Sequence, residues 1–124
     1  HSQPFWAHIS GDVSEKEWAG YPTGPVTAGG RVPELLSRYP GLIGDLSAGS
    51  GYNAVSRDPD FGYAFLEQFQ DKLCWGTDCY KSEQADGLLI QLKTFLEDGL
   101  AAGRLSPQAF DKITHQNAQR ILGL

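Results

Sequence analysis

The chain has 124 residues, of which 40% are hydrophobic and 11% aromatic, so it can bury the core of one domain and is not a disordered protein. Its formal net charge is -5, and its ten Lys and Arg residues are scattered without a run that could follow a phosphate backbone, so we expect no nucleic-acid partner. No stretch approaches the roughly 18 apolar residues of a membrane helix, and we therefore expect a soluble, cytoplasmic protein without a membrane partner.

The start of the chain predicts no long regular element. It begins at His1 and contains no Met, so we expect either that a leader has been removed or that the chain is part of a longer protein. Residues 3–9 (QPFWAHI) are rich in aromatic side chains and fit a strand end or a short helix, because periodicity cannot decide over so few residues. Residues 19–31 contain four Gly and two Pro and predict a structured loop.

A helix and then a strand are predicted next. From Val32 to Tyr39 the apolar side chains fall at helical spacing, and Pro40 ends the run. Residues 42–46 (LIGDL) have the composition of a strand. The small residues that follow, at 47–51 (SAGSG), permit a tight turn and a close approach of the backbone.

The second half predicts one further strand between helices. A helix begins near Asp58, which suits an N-cap before a first-turn proline. Residues 72–75 predict a strand, and the apolar residues from 88 to 100 predict a long amphipathic helix that Gly103 would end. Ser106, followed by a proline, opens a last helix.

With residues 3–9 taken as a strand, the order is strand, helix, strand, helix, strand, helix, helix. This order is typical of right-handed βα units on a parallel sheet, so we expect a single α/β domain over residues 1–124. Two or three parallel strands alone would leave both sheet edges unpaired. A larger sheet or a closed barrel would remove that difficulty.

The chain has two cysteines, and both lie around the end of the last predicted strand. The spacing of Cys74 and Cys79 fits neither a Cys-x-x-Cys pair nor a four-ligand zinc site. We expect reduced thiols, with Cys74 packed in the strand and Cys79 in its loop, rather than a disulfide or metal ligands.

The run at 72–80 (KLCWGTDCY) is suited to burial but contains an ionisable residue near its end. Asp78 lies where the predicted strand gives way to a loop, and Gly76 before it leaves space above the sheet. A carboxylate at the C-terminal end of a parallel strand can bind a divalent metal, orient a metal-bound water or accept its proton. The alternative is that Asp78 only caps the turn.

Polar residues also surround the end of the strand predicted at 42–46. They would line a substrate pocket or form a hydrogen-bonded loop: Asp45, Ser47, Ser50, Asn53 and Arg57. No Gly-x-Ser-x-Gly elbow supports a serine hydrolase, and SAGSG lacks the Gly-Lys-Ser/Thr ending of a phosphate loop. We therefore expect substrate contacts or loop support from these residues, and no nucleotide site.

Three other polar residues have a structural interpretation that we prefer. His8 follows an aromatic run, but we expect an exposed or locally hydrogen-bonded side chain rather than a metal ligand. His115 lies in the last predicted helix, away from the strand ends, and is expected on the surface or in helix packing. Asn117 is expected to serve that helix or its contacts.

Several sequence segments, in their order along the chain, resemble the C-terminal part of the amidohydrolase-related proteins, which are metal-dependent TIM-barrel hydrolases. The segments are HSQPFW at 1–6, YPTGPVTAGG at 21–30, LLSRYPGLIGDLSAGSGYNA at 35–54, KLCWGTDC at 72–79 and ITHQNAQRILGL at 113–124. Because GTD and NAQRILGL are short, the joint order and the DLSAGSG segment carry the specificity. The resemblance implies an α/β fold made of about the last three βα units of a TIM (β/α)8 barrel, beginning at the end of strand six.

The resemblance also implies a site. Asp78 matches the Asp of the family's eighth strand, which ligates metal or handles the proton of the attacking water. His1 matches the sixth-strand His, a metal ligand or a catalytic residue, although the Gly and the strand that precede it in the family have no counterpart here. The family's His-x-His pair and its fifth-strand His or modified Lys also have no counterpart. We expect the parent protein to bind a divalent metal ion, zinc. This chain alone need not bind one.

These observations predict a C-terminal fragment of a metal-dependent hydrolase or decarboxylase. It would act on a small organic substrate through a metal-activated water, and that small molecule would be its partner. The alternative from a different class is a non-catalytic α/β module, which either self-associates into a homo-oligomer across its open edges or binds a small ligand.

Overall fold

The computed structural model describes residues 2–84 and 87–124. Over these residues the chain is mainly helical and has one sheet of two short strands. The elements are α1 (Gln3–Ala7), a 3-10 turn (Glu15–Glu17), α2 (Arg31–Arg38), β1 (Gly44–Asp45), α3 (Ala48–Ser56), α4 (Pro59–Gln68), β2 (Leu73–Cys74), a second 3-10 turn (Ser82–Gln84), α5 (Leu88–Ala101), α6 (Pro107–Asp111), a π-helical turn (Lys112–Gln116) and α7 (Asn117–Leu122).

The two strands predicted at 42–46 and 72–75 are confirmed, although each is shorter than its apolar run. They pair in parallel, with Gly44 opposite Leu73 and Asp45 opposite Cys74. A parallel pair needs a crossover connection, and α3 and α4 supply it. The sheet is therefore the βα arrangement that the sequence predicts.

Of the two interpretations of residues 3–9, the short helix is confirmed, and the strand assumed in the predicted element order is wrong. This segment forms α1, and Pro4 lies in its first turn, where the N–H that proline lacks would have no partner within the helix. Trp6 and Ala7 are buried on one side of this short helix. The element order among the described residues therefore starts with helices, not with a strand.

Residues 47–51, where small side chains permit a tight turn and a close approach of the backbone, begin a helix that was not predicted: α3 starts at Ala48, and the close approach is confirmed. Gly51 explains how a helix can start so soon after β1. A Cβ on Gly51 would overlap the carbonyl oxygen of Leu46, so the missing side chain allows the first turn of α3 to lie against the strand end.

The longer helices begin and end as predicted. Asp58 is the N-cap of α4, and its Oδ1 accepts the N–H of Phe61 at 3.3 Å. Gly103 follows α5 with a φ of 68°, the left-handed conformation common after helix ends. Ser106 caps α6 by accepting the N–H of Ala109 at 3.1 Å, but the last helical segment is interrupted by the π-helical turn.

One hydrophobic cluster joins these elements. α3 contacts α1, α4 and α5, and at its crossing with α4 a Cβ on Gly62 would overlap the carbonyl oxygen of Val55. The largest fully buried side chains are Trp6, Ile9, Val32, Leu36, Leu46, Val55, Leu66, Leu73, Leu92, Leu96, Leu105 and Ile113.

The outer edge of β2 is covered by the C-terminal helical segment. The N–H of Trp75 donates to the carbonyl of Ile113, in the π-helical turn, at 2.8 Å. The Nδ2 group of Asn117 donates to the carbonyls of Leu73, at 2.8 Å, and Gln70, at 2.6 Å. Main-chain groups that would face solvent on an open edge are therefore paired within the chain.

The outer edge of β1 has a similar partner. The indole Nε1–H of Trp6 donates to the carbonyl of Asp45 at 2.9 Å. The expectation that both sheet edges are unpaired is therefore wrong for these groups, because side chains and the main-chain carbonyl of Ile113 take the place of neighbouring strands.

No helix in the described part of the chain combines the length and the apolar character that crossing a bilayer requires.

Candidate active site at the strand ends

The C-terminal ends of β1 and β2 lie side by side and bring polar groups together. Asp45 is the last residue of β1 and is exposed, and Cys74 lies opposite it in the register. Gly76 follows on the same side of the sheet. The position that a Cβ would take on Gly76 lies 3.1 Å from the Cβ of Ser47 and 3.7 Å from Oδ1 of Asp45.

The Asp45 carboxylate holds Ser47 with both of its oxygens. Its Oδ1 accepts the N–H of Ser47 at 2.9 Å, and its Oδ2 accepts the Ser47 hydroxyl at 3.0 Å. Although Asp45 is exposed as a residue, neighbouring atoms displace part of the water around its carboxyl, which would raise its pKa; the hydrogen bonds from the Ser47 N–H and hydroxyl act against this, and the net pKa is lowered. Asp45 is therefore an ionised acceptor at neutral pH.

Both cysteines are free thiols, as predicted. Burial raises the pKa of the Cys74 thiol, and the Asp45 charge opposite it raises that pKa further. A thiol that stays protonated is a poor nucleophile, so the geometry does not favour Cys74 as a catalytic group. Cys79 is exposed, and its Sγ donates to the carbonyl of Lys81 at 3.2 Å.

Asp78 lies in the loop after β2, at the C-terminal end of the sheet, as predicted. Its side chain is exposed and its φ is 58°, a left-handed conformation that Asp adopts more readily than most residues with a Cβ. The Oγ1 of Thr77 accepts the N–H of Cys79 at 3.1 Å. The turn therefore contains a hydroxyl acceptor of its own, independent of Asp78.

Ser47 and Ser50, two of the predicted substrate-binding residues, lie at the N-terminal end of α3 beside the strand ends. Both are buried. The Ser50 hydroxyl oxygen has no hydrogen-bond partner in the described part of the protein. Ser47 is held by Asp45, and Ser50 lies three residues later in the first turn of α3, whereas the other two predicted residues lie further along this helix.

Asn53 and Arg57 bind the loop that precedes α2. The Nδ2 of Asn53 donates to the carbonyl of Pro22 at 3.1 Å. Arg57 donates from Nε to the carbonyl of Gly24 at 2.9 Å, and from one terminal nitrogen to the carbonyl of Pro25 at 3.1 Å. These contacts are of the loop-supporting kind that the sequence left open beside substrate binding.

Asp58 supports the same loop, and its second contact could not be predicted. Its Oδ2 accepts the N–H of Val26 at 2.9 Å, while Oδ1 caps α4. The hydrogen bonds from the N–H groups of Val26 and Phe61 lower the pKa of Asp58. The Asp-Pro pair signals the helix cap, but no local pattern signals a contact 32 residues away.

The histidines do not collect at the strand ends. His1 lies outside the described residues. His8, which is partly buried, follows α1, with its ring centroid 5.5 Å from that of Trp18. His115 is exposed in the π-helical turn, where its Nδ1 lies 3.1 Å from Oγ1 of Thr114. The surface position expected for His115 is confirmed, whereas His8 is partly buried beside the Trp18 ring and not exposed.

A metal ion would need more ligands than these strand ends provide. Over residues 2–84 and 87–124, no group of three or more His, Cys, Asp or Glu side chains could hold a metal ion. Asp78 offers one carboxylate, whereas catalytic zinc sites commonly use three protein ligands. The described residues therefore do not form a metal site by themselves.

The contacts of Asp45 are the feature of this site that sequence reasoning missed. The Asp-x-Ser spacing at 45–47 is a local signal, because an Asp side chain commonly accepts the N–H of the residue two positions later. The bond from Trp6 to the Asp45 carbonyl spans 39 residues and has no such signal.

The fold and the site define a parallel α/β protein with carboxylates at the ends of its strands. A family model described as Amidohydrolase matches residues 19–124, and the chain therefore belongs to this family. The match confirms the resemblance to amidohydrolase-related proteins, whose TIM-barrel fold is consistent with the two parallel strands and their helices. No curated protein and no solved structure matches the chain.

Proposed function

We propose that the complete protein is a metal-dependent hydrolase or decarboxylase of a small organic substrate. In this proposal the chain supplies about the last three βα units of its barrel, with β1 and β2 as the seventh and eighth strands. The observation that carries the proposal is the position of Asp78, an exposed carboxylate in the loop that follows the parallel strand β2, in a chain of the amidohydrolase family. The C-terminal ends of barrel strands are where catalytic groups lie in this fold.

Asp78 is proposed as the catalytic carboxylate, either as a metal ligand or as the group that takes a proton from the attacking water. His1 is proposed as its partner from the sixth strand. The family generally uses a divalent metal, and we propose zinc, which would supply an activated water when bound. Because the described residues do not form a metal site, its other ligands would come from other strands of the barrel.

Ser47, Ser50, Asn53 and Arg57 are proposed to form one side of the substrate pocket. Ser47 and Ser50 would do so at the strand ends, and Asn53 and Arg57 by fixing the loop above α3. We further propose a cytoplasmic location, which the two free thiols support because disulfides are rare in that compartment.

The metal content of the complete protein tests this proposal. The protein, purified in metal-free buffer and analysed by atomic emission, is expected to carry about one zinc ion per chain and to lose turnover on dialysis against a chelator. Added Zn²⁺ should restore turnover. Protein that contains no divalent metal, or that keeps its turnover after complete removal of metal, would contradict the proposal.

A second candidate is a non-catalytic α/β module, and one observation favours it. The paired outer edges of β1 and β2 show how these residues could fold without neighbouring strands. Metal analysis also separates the two candidates, since the module predicts no bound metal. Size-exclusion chromatography would show whether such a module is a monomer or a homo-oligomer.

A further inference from the structure

Asp45 connects three segments that meet at the ends of the strands. Its carbonyl accepts the indole N–H of Trp6, from the segment that follows His1. Its Cα lies opposite that of Cys74 in the register with β2, between Gly44 and Leu46, whose N–H groups donate to the carbonyls of Lys72 and Cys74. Its carboxylate accepts both the N–H and the hydroxyl of Ser47, at the start of α3. No other residue named at this edge links all three segments.

Ser47 transmits the position of Asp45 to the loop after β2. Its Cβ lies 3.1 Å from where a Cβ on Gly76 would be, so Ser47 packs directly against the backbone of Gly76. Asp78 follows Gly76 by two residues. A shift of Ser47 would therefore change the point at which the backbone that carries Asp78 leaves the sheet.

The capping and the backbone conformation are unfavourable for a helix at Ser47 and Ala48, where this contact is made. Ser47 is the N-cap residue of α3, yet its hydroxyl makes no capping bond to that helix and donates to Asp45 instead. Ala48 follows with a φ of 62°, a left-handed conformation that disfavours a residue with a Cβ. Both features are consistent with a backbone that is held by Asp45 and not by helix preference.

We propose that Asp45 is a positioning residue: its carboxylate holds Ser47 against Gly76 and thereby sets the backbone that carries Asp78. The inference rests on the proposed function, since the position of Asp78 matters for turnover only if Asp78 is catalytic. The contact itself does not depend on that function and can be tested separately.

The test compares backbone amide signals in ¹⁵N NMR spectra of the chain and its variants. Asp45→Ala removes both acceptors and should move the amide signals of Gly76, Thr77 and Asp78. Asp45→Asn should return them toward the wild-type positions, because its amide can still accept the Ser47 N–H and donate to the Ser47 hydroxyl. Ser47→Ala removes only the hydroxyl bond and should produce a smaller shift of the same signals.

Asp12 provides a matched control. Its carboxylate also accepts two hydroxyl groups, from Ser10 at 2.5 Å and Thr27 at 2.9 Å, but it belongs to the loop between α1 and α2. Asp12→Ala should leave the amide signals of residues 76–78 unchanged. Unchanged signals in Asp45→Ala and Ser47→Ala, or equal shifts in Asp12→Ala, would overturn the proposal.

Turnover of the complete protein then separates this inference from the proposed function. Asp45→Ala should lower kcat at least ten-fold with little change in KM, and Asp45→Asn should recover part of the loss. If the amide signals move as expected but Asp78→Asn retains full turnover, the contact stands and the catalytic assignment of Asp78 fails. Moved signals with unchanged kcat in Asp45→Ala would overturn the positioning role.

Discussion

Ala48 has a φ of 62° in the first turn of α3, directly after the residue that Asp45 holds. The left-handed conformation costs a residue with a Cβ about 1–2 kcal/mol. Neighbouring contacts must supply that energy. At the scale of single residues, this position and Asp58 offer the clearest tests of how the strand ends and their loop are stabilised.

Ala48→Gly should raise the free energy of unfolding by about 0.5 kcal/mol. Glycine removes the left-handed strain, and its greater freedom in the unfolded chain offsets part of the gain. The control is Ala54→Gly in the same helix, where the backbone has no positive φ and the side chain is buried, so the same change should cost about 1 kcal/mol or more. Urea denaturation measures both, and a loss of stability in Ala48→Gly would contradict the account.

Asp58 should make stability depend on pH on the acid side. Its pKa in the folded chain lies below that of an unfolded Asp, about 3.9, because it accepts the N–H groups of Val26 and Phe61. Its contribution is therefore fully present above the unfolded pKa and is lost as pH falls through the lowered folded pKa.

The variant Asp58→Asn isolates that contribution. The difference in unfolding free energy between wild type and variant should be constant above about pH 5 and should shrink below about pH 4. Urea titrations at pH 7, 4 and 3 measure it. A difference that grows on acidification would show that the ionised form of Asp58 is not the stabilising one.

At the scale of elements, the C-terminal helical segment takes the place of a strand beside β2. Asn117 is buried, and its amide donates to the carbonyls of Leu73 and Gln70. Arg120 adds a bond to the carbonyl of Asp71 at 2.8 Å. This segment fixes the strand from which Asp78 extends.

Asn117→Ala should lower the free energy of unfolding by about 2 kcal/mol or more, because it leaves two carbonyls without their donor and creates a small cavity. Asn53→Ala is a suitable control, since Asn53 is only partly buried and gives one bond to the Pro22 carbonyl, so it should cost about 1 kcal/mol. Chemical denaturation measures the loss of unfolding free energy in each variant. Equal effects would mean that the Asn117 contacts do not cover the strand edge as described.

The elements also show how far sequence reasoning reaches. α2, α4 and α5 could be predicted from their apolar spacing, and the start of α4 also from its Asp58 cap. α1 has too few residues for periodicity to identify it. α3 begins with small residues that are typical of turns, so their composition did not identify the helix, and the close packing of Gly51 on Leu46 appears only in the folded chain.

At the scale of the whole molecule, the family could be predicted from the order of the matching sequence segments, and the parallel pairing of β1 and β2 from the composition of the strands and the helices between them. The position of Asp78 followed from the same pattern. The contacts of Asp45 with Trp6 and of Asn117 with Leu73 could not be predicted, since they join residues distant in sequence and depend on the final packing.

The central claim is that Asp78, in the loop that follows β2, is the catalytic carboxylate. The most direct measurement is the turnover of the complete protein as wild type, Asp78→Asn and Asp71→Asn. Asp71 is a matched control, because it is an exposed Asp that precedes the same strand at its opposite end. We predict that Asp78→Asn lowers kcat by at least about a thousand-fold without loss of folding, and that Asp71→Asn stays within about two-fold of wild type. Turnover in Asp78→Asn close to that of Asp71→Asn would contradict the claim.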